Sequence, residues 1–469
     1  MKYFILVTDG AGDYPLEDRG NKTPLQLADN PVMNELAHRG IVGRCKTIPD
    51  GMEAGSDVGH LSLLGYPPEK FHTGRAPLEA ANIGVELGEN DAAFRGNIVT
   101  LRVPNNCEDE LNSRACDEMT EFEKLEIVDH SSQDITTEEG LRLYEDLSRH
   151  LTEKGLLDGI DMKHGVSYRG AFVIRNLSRD INPIDVGSEP PHNILGKGIA
   201  NYLPGYRLNA EINSANNTKM NSANDAESNS VNVNTGTQKN EAPLGDDYFV
   251  ASRIKEIMRA SYEFLRNHPV NKSRIERGLR PGNCLWIWGG GRKPALVPYG
   301  NGRKIEGSVI SAVDLIKGIG ILIGMKVIDV EGATGNKETN FAGKGRAAVK
   351  AFEEGDQMVF VHVEGPDECG HQGDTDGKIF CLERIDKEIL KPVLSYLKKC
   401  GERYKILIMP DHYTPIKIRT HSADPVPVVL YDSENEQGYD GERNFTEESA
   451  ERGCIFEKGS DIAEAFLAE

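Results

Sequence analysis

The chain has 469 residues and carries 74 acidic against 54 basic side chains, a formal net charge of -20. That length exceeds what one hydrophobic core usually supports, so two domains are expected, and the acidic balance excludes nucleic acid or an anionic membrane surface as the main partner. The 8 cysteines are scattered without a CxxC pair, no run approaches membrane-spanning length, and the chain opens on a short strand-like run with no apolar signal region, so a reduced, cytoplasmic protein is predicted.

In chain order, Phe4 to Val7 reads as a buried strand that ends in Thr8-Asp9-Gly10. A helix is predicted over Pro24 to Arg39, and the turn-like GMEAGSDVGH then places Ser56 at the start of a helix that continues into HLSLLGY. From residue 74 to 285 the pattern changes to strand-like pieces, Arg95 to Val103 and Ala171 to Ile174, with long helices over Thr137 to Lys154 and Asp246 to Asn267. Inside this stretch, residues 209–241 are rich in Asn and Ser and almost lack large apolar side chains; such a segment cannot bury enough surface to order itself, and a disordered insertion is predicted. Cys284 to Trp288 begins a strand leading into Gly289-Gly290-Gly291-Arg292, a glycine run that reads as a tight turn or as a phosphate cradle. An α/β rhythm follows: a helix over Ala312 to Met325, a strand at Lys326 to Val330, a helix over Lys344 to Glu354, and strands at Met358 to Val363 and Ile406 to Met409.

Three of the strand-like runs end in residues that bind metals. Besides Asp9, the run Met358 to Val363 is followed by Asp367 and His371, four apart and so on one helical face. The run Ile406 to Met409 is followed by Asp411-His412, with His421 nine residues further on. Taken singly each has a bland explanation: an aspartate caps turns, a histidine is solvated, and Ser56 is a helix cap. Their joint occurrence at strand ends, where ligands gather in open α/β sheets, argues for a site. Carboxylate and imidazole without thiolate suit zinc or manganese, and a hydroxyl among the ligands favours the harder manganese, with magnesium a further alternative. Two ions about 4 Å apart can clamp a phosphoryl group, and a coordinated Ser56 hydroxyl is a nucleophile in waiting. An acidic protein handling phosphate must concentrate its cations locally; the candidates are Arg75, Arg95, Arg169, Arg292, Lys317 and Arg419. Cys369 lies inside a ligand segment but reads as a small, partly buried side chain.

Asp9-Gly10, Gly55-Ser56-Asp57 with His60 to Tyr66, Asp367-x3-His371 and Asp411-His412 with His421 together resemble the cofactor-independent phosphoglycerate mutases of archaeal type, within the alkaline phosphatase superfamily. The resemblance extends to Gly74 to Glu79, Phe94-Arg95-Gly96-Asn97, Leu285-Trp286-x-Trp288-Gly289 and Ile310 to Gly320. It implies an α/β fold with a mostly parallel sheet flanked by helices, formed by residues 1–73 and 286–469, and an inserted α+β cap over 74–285 that would act as a lid. It implies that Ser56 is the nucleophile, that Asp9, Ser56, Asp411 and His412 hold one divalent ion, and that Asp367, His371 and His421 hold the other. Arg75, Arg95, Asn97, Arg169 and Lys317 fall at motif positions expected to bind substrate, a small phosphorylated metabolite. The reaction implied is interconversion of 3-phosphoglycerate and 2-phosphoglycerate through a phosphoserine, without bisphosphoglycerate.

One segment departs from that pattern. Where an arginine-rich Arg-Ala-Gly-Arg stretch is expected, the chain reads Val128-Asp129-His130-Ser131-Ser132-Gln133-Asp134, which lacks bidentate guanidinium forks. This acidic segment is closer to the branch of the family proposed to act as homoserine kinase, although no GxxxxGK[ST] loop is present. A homoserine kinase-like phosphotransferase and a plain phosphomonoesterase are therefore the alternative readings.

Overall fold

Runs such as Phe4-Ile5-Leu6-Val7 and Met358 to Val363 have no polar alternation, the pattern of strands covered on both faces. In the computed structural model, which describes residues 1–104, 120–205, 246–300 and 305–468, they lie side by side at the centre of a sheet. The tract 209–241 lies outside the described residues. In chain order the strands are β1 (Lys2–Thr8), β2 (Ile41–Cys45), β3 (Ala92–Arg102), β4 (Glu126–Asp129), β5 (Ile160–His164), β6 (Arg169–Ile174), β7 (Cys284–Arg292), β8 (Gly307–Ile310), β9 (Lys326–Val327), β10 (Met358–Val363), β11 (Tyr404–Met409), β12 (Val426–Asp432) and β13 (Cys454–Phe456). They divide between two compact units, residues 1–72 with 294–469 and residues 73–293.

The first unit is built on an eight-stranded sheet in the order β13-β2-β12-β11-β1-β10-β8-β9. Only β12 runs against its neighbours β11 and β2; the other pairings are parallel, as the sequence leads one to expect. Every residue of β1, β10 and β11 is buried. Phe4, Leu6, Val359, Val361, Ile406 and Ile408 pack against Phe352, Ile385, Ile389 and Val393 from the covering helices. The register sets up the chemistry. Thr8 pairs with Val363 and Val7 with Met409, so three parallel strands finish level and release Asp9, the Asp367 helix and Asp411 at one edge of the sheet.

The second unit carries an antiparallel five-stranded sheet in which the eleven-residue β3 pairs with β4, β6 and β7, and β6 with β5. Against it packs the helix Thr137–Glu153, capped by Thr136, with Leu143, Leu147 and Leu151 on its buried stripe. Two sequence expectations change here and in the first unit. The glycine run is neither a tight turn nor a phosphate cradle: it continues β7, with Gly289 at φ 64 in the irregular stretch opposite Ala93 and Arg95, so β7 closes the second sheet instead of beginning the return to the metal-bearing part. The Arg292 guanidinium at its end donates to the carbonyls of Asn90, Leu177, Ser178 and Ile181, a structural role. The helix expected over Pro24 to Arg39 is two, Pro24–Leu27 and Pro31–Arg39, because the residue before a proline is driven out of the helical region; Asn30 has φ -112 and ψ 60.

A buried ion pair ties together the segments that follow β1 and β11. Lys378, on the helix Thr375–Arg384, places its ammonium 2.8 Å from Asp13 Oδ2 and 2.9 Å from the Thr414 carbonyl, both partners fully enclosed. Asp13 also accepts the Ile416 amide, while Glu447 accepts the Asp13 amide and the Thr23 hydroxyl; burial pushes Glu447 up to about 7. Lys378→Met strands the Asp13 charge and is expected to cost about 3–5 kcal/mol. Urea unfolding should show this as a lower midpoint at unchanged m-value.

Candidate metal centre and active site

The first ligand group forms where β1 and β11 end. Asp9 turns Oδ2 to His362 Nε2 at 2.7 Å, while its Oδ1 is buried without a hydrogen-bond partner. Asp411 Oδ1 accepts the amides of Gly10 and His412, and its Oδ2 is likewise without a hydrogen-bond partner. His412 Nε2 lies 3.3 Å from Asp411 Oδ2, 3.6 Å from Asp9 Oδ1 and 3.2 Å from Ser56 Oγ. Ser56 is the first residue of the helix Ser56–Leu63, whose amide end favours anions. Gly59 lets that helix lie directly on the Asp411 loop: a Cβ there would sit 2.6 Å from the Asp411 carbonyl oxygen.

The second group comes from the helix Gly365–Gln372 and the loop after β11. Asp367 and His371 do share a helical face, and His371 Nε2 is 3.4 Å from Asp367 Oδ2. His421 Nε2 is 3.4 Å from Asp367 Oδ1 and 3.0 Å from His371 Nε2. Carbonyls fix both rings: His371 Nδ1 faces the Arg419 oxygen and His421 Nδ1 the Ala54 oxygen, each at 3.1 Å. A carbonyl only accepts, so each Nδ1 carries a proton and each Nε2 is the atom turned toward Asp367. The Thr414 hydroxyl bridges the groups, donating to Asp367 Oδ1 and standing 3.3 Å from His412 Nδ1.

This donor set fits divalent cations. Burial, reinforced by the Asp411 and Asp367 charges, pushes the Asp9 carboxyl well above its usual range, as expected where carboxylates crowd with no cation between them. Against the cost of burial, the neighbouring imidazoles hold Asp367 well below the usual carboxylate range, and Asp367 in turn raises His371 to about 9. With Asp367 ionised and His371 protonated, His371 Nε2 and His421 Nε2 stand 3.0 Å apart, close to the roughly 3.3 Å between ligands on one tetrahedral ion, so a divalent cation could replace the proton held there. An ion in the first group would also give Asp9 Oδ1 and Asp411 Oδ2 the partner they lack. Asp367, His412 and His421 also lie within ligand reach of one another, so the two groups adjoin. Among the described residues no thiolate takes part; Cys369 is buried against Cys381.

His362, Thr414 and His60, whose Nδ1 lies 3.2 Å from Asp411 Oδ2, are absent from the sequence-derived set. His362 sits within an unbroken apolar strand, where a single histidine reads as packing, and no spacing rule points to a threonine three residues beyond Asp411.

The second unit, taken by itself, gathers most of the expected substrate residues. Arg95 pairs with Glu79 at 2.8 Å and stacks 4.0 Å over Trp288, whose Nε1 donates to Asn97 Oδ1. Burial, helped by Arg75 and Arg169 and opposed by Glu79, pulls the Arg95 guanidinium below its usual range, which places these three cations in one cluster. Arg169 pairs in register with Asn97 and lies over Tyr168. Lys317 belongs to the first unit, where it pairs with Asp329 at 2.6 Å. Arg419 contributes its carbonyl to His371. In the acidic segment, Asp129 is spent on local structure: it accepts the amides of Ser131 and Gln133 and pairs with Arg280 at 2.8 Å.

Comparison with known proteins places these observations. The Metalloenzyme superfamily model matches residues 1–467. A 2,3-bisphosphoglycerate-independent phosphoglycerate mutase of Methanosarcina barkeri is 38% identical over 463 residues, covering 98% of each chain. Among solved structures, a Pyrococcus horikoshii protein superposes with a TM-score of 0.69 at 24% identity over 99% of this chain and 97% of its own. The cofactor-independent phosphoglycerate mutase of Thermoplasma acidophilum superposes with a TM-score of 0.56 at 25% identity over 99% and 98%. Among the described residues, no helix is long and apolar enough to cross a membrane.

Proposed function

The chain belongs to the Metalloenzyme superfamily and to the 2,3-bisphosphoglycerate-independent phosphoglycerate mutases, and on that premise we propose that it interconverts 3-phosphoglycerate and 2-phosphoglycerate through a phosphoserine on Ser56. The observation that carries the assignment of Ser56 is its hydroxyl, 3.2 Å from His412 Nε2 at a helix N-terminus, beside two buried carboxylate oxygens that have no hydrogen-bond partner. Two divalent ions, manganese foremost given a hydroxyl among hard oxygen and imidazole ligands, would neutralise phosphoryl charge and lower the pKa of the Ser56 hydroxyl. Asp9, Ser56, Asp411 and His412 would hold one ion, and Asp367, His371 and His421 the other.

Ser56 Oγ attacks phosphorus as the bond to the substrate oxygen breaks; the departing alkoxide takes up a proton, matching the one Ser56 gave up. The glycerate stays bound, and its other hydroxyl attacks the phosphoserine in the reverse sense. Arg75, Arg95, Asn97 and Arg169, with Lys317, are the residues proposed to hold the carboxylate and phosphate of the substrate. The second unit, 73–293, is thereby the proposed substrate domain. Asp129 bears on the alternatives: with its carboxylate committed to two amides and Arg280, the acidic segment offers less to an ammonium substrate than its sequence suggests.

The test is direct. Purified protein should interconvert the two phosphoglycerates with neither ATP nor bisphosphoglycerate. Arg169→Ala should lower kcat/KM by about tenfold or more, the energy of one charge-assisted contact. Arg169 is the cleaner probe because it is exposed, whereas Arg95 is locked to Glu79 and Trp288. Absence of mutase activity, with phosphohomoserine formed from ATP and homoserine, overturns the proposal.

A further inference from the structure

We propose that His362, held in one tautomer by Ser311, is the positioning residue that aims Asp9 at its metal ion. This rests on the reading that Asp9 is a ligand. His362 lies in β10, paired in register with Val7 of β1, and is fully buried behind the Asp9 carboxylate. Both of its nitrogens are taken: Nε2 is 2.7 Å from Asp9 Oδ2 and Nδ1 is 3.0 Å from Ser311 Oγ. The ring therefore has no lone pair left for an ion.

Hydrogen-bond chemistry sets its tautomer. A ligating Asp9 is ionised and can only accept, so Nε2 carries the proton. Ser311 Oγ accepts the Val313 amide at 3.0 Å, and its own O–H is free to donate to the bare Nδ1. The relay Val313 to Ser311 to His362 to Asp9 runs donor to acceptor throughout. It fixes Oδ2 and leaves Oδ1 as the single outward oxygen, the atom that has no hydrogen-bond partner. Partners of this kind typically change metal affinity 10- to 100-fold when removed. Edge-on contact with the His60 ring, centroids 5.0 Å apart, restrains the His362 plane further.

The experiment titrates the metal-stripped full-length protein with manganese by calorimetry. Wild type should bind about two equivalents. His362→Leu should weaken one of them by about 10- to 100-fold and leave the other near its wild-type affinity. His362→Gln, whose amide N–H reaches the Nε2 position, should return the weakened site to within about threefold of wild type. Ser311→Ala should weaken the same site by roughly three- to tenfold, and it decides the matter if His362→Leu fails to fold. Unchanged affinities in His362→Leu, or equal weakening of both sites without rescue by glutamine, overturn the proposal and leave His362 a packing residue. Asp9→Asn is the control for the underlying reading: if it too leaves both affinities intact, Asp9 is not a ligand and the inference falls with that assignment.

Discussion

Ser56→Ala is expected to abolish turnover, with a loss of about 10^4-fold or more, roughly 5.5 kcal/mol in barrier. The side chain is partly exposed, and its recorded hydrogen bond is the one to His412 Nε2, so removing one oxygen leaves the fold unstrained. Asp9, Asp411 and His412 retain their own positions, so metal content should hardly change. What disappears is the oxygen proposed to carry the phosphoryl group between the two substrate hydroxyls. The assay is phosphoglycerate interconversion by the purified variant, with thermal melting and metal analysis alongside. Activity above about a tenth of wild type, a barrier difference under about 1.4 kcal/mol, rules out the covalent route.

Removing the metal is expected to have an effect as large. Chelation should eliminate activity and manganese should restore it, with elemental analysis finding about two ions per chain before treatment. The stripped protein should also melt lower, because each ion bound at 100 times its dissociation constant contributes about 2.7 kcal/mol to stability. His421→Ala separates the two groups. His421 provides one of the two imidazole nitrogens that meet beside Asp367, while Asp9 and Asp411 lie in the other group. About one ion per chain should remain. Full activity in metal-free protein would contradict the whole scheme.

The residues that gather into the candidate ligand groups were legible in the sequence because each hangs on a short-range signal. An apolar run followed at once by Asp9, Asp411 or the Asp367-x3-His371 turn can be read within a dozen residues, and β1, β10 and β11 are buried as such runs require. The residues behind them were not legible. His362 and Ser311 matter only because β10 and β8 are neighbours, and that pairing joins Val361 to Ile310 across a long stretch of chain. Thr414 gains its role from Asp367, 47 positions away. The glycine run misled for a related reason: from a single strand, a bulge demanded by the partner β3 looks like a turn. Asp129 looked like a recognition group because sequence shows its charge, while the two amides and Arg280 that absorb that charge come from the fold.

The level ends of β1, β10 and β11 have a consequence for how the protein is made. β1 leaves the ribosome long before its partners β10 and β11, and Gly10 meets Asp411 401 positions later. The apolar run Phe4 to Val7 of β1 must therefore wait until those distant strands are made before both of its edges are paired, and an unpaired strand of that kind is prone to aggregate. Metal cannot shorten the wait by templating the fold, because the Asp9 group has no second strand until β11 exists. Ion capture at that group would then follow the pairing of β1 with β11, and a chain that has acquired that ion is one in which these two distant strands have found each other.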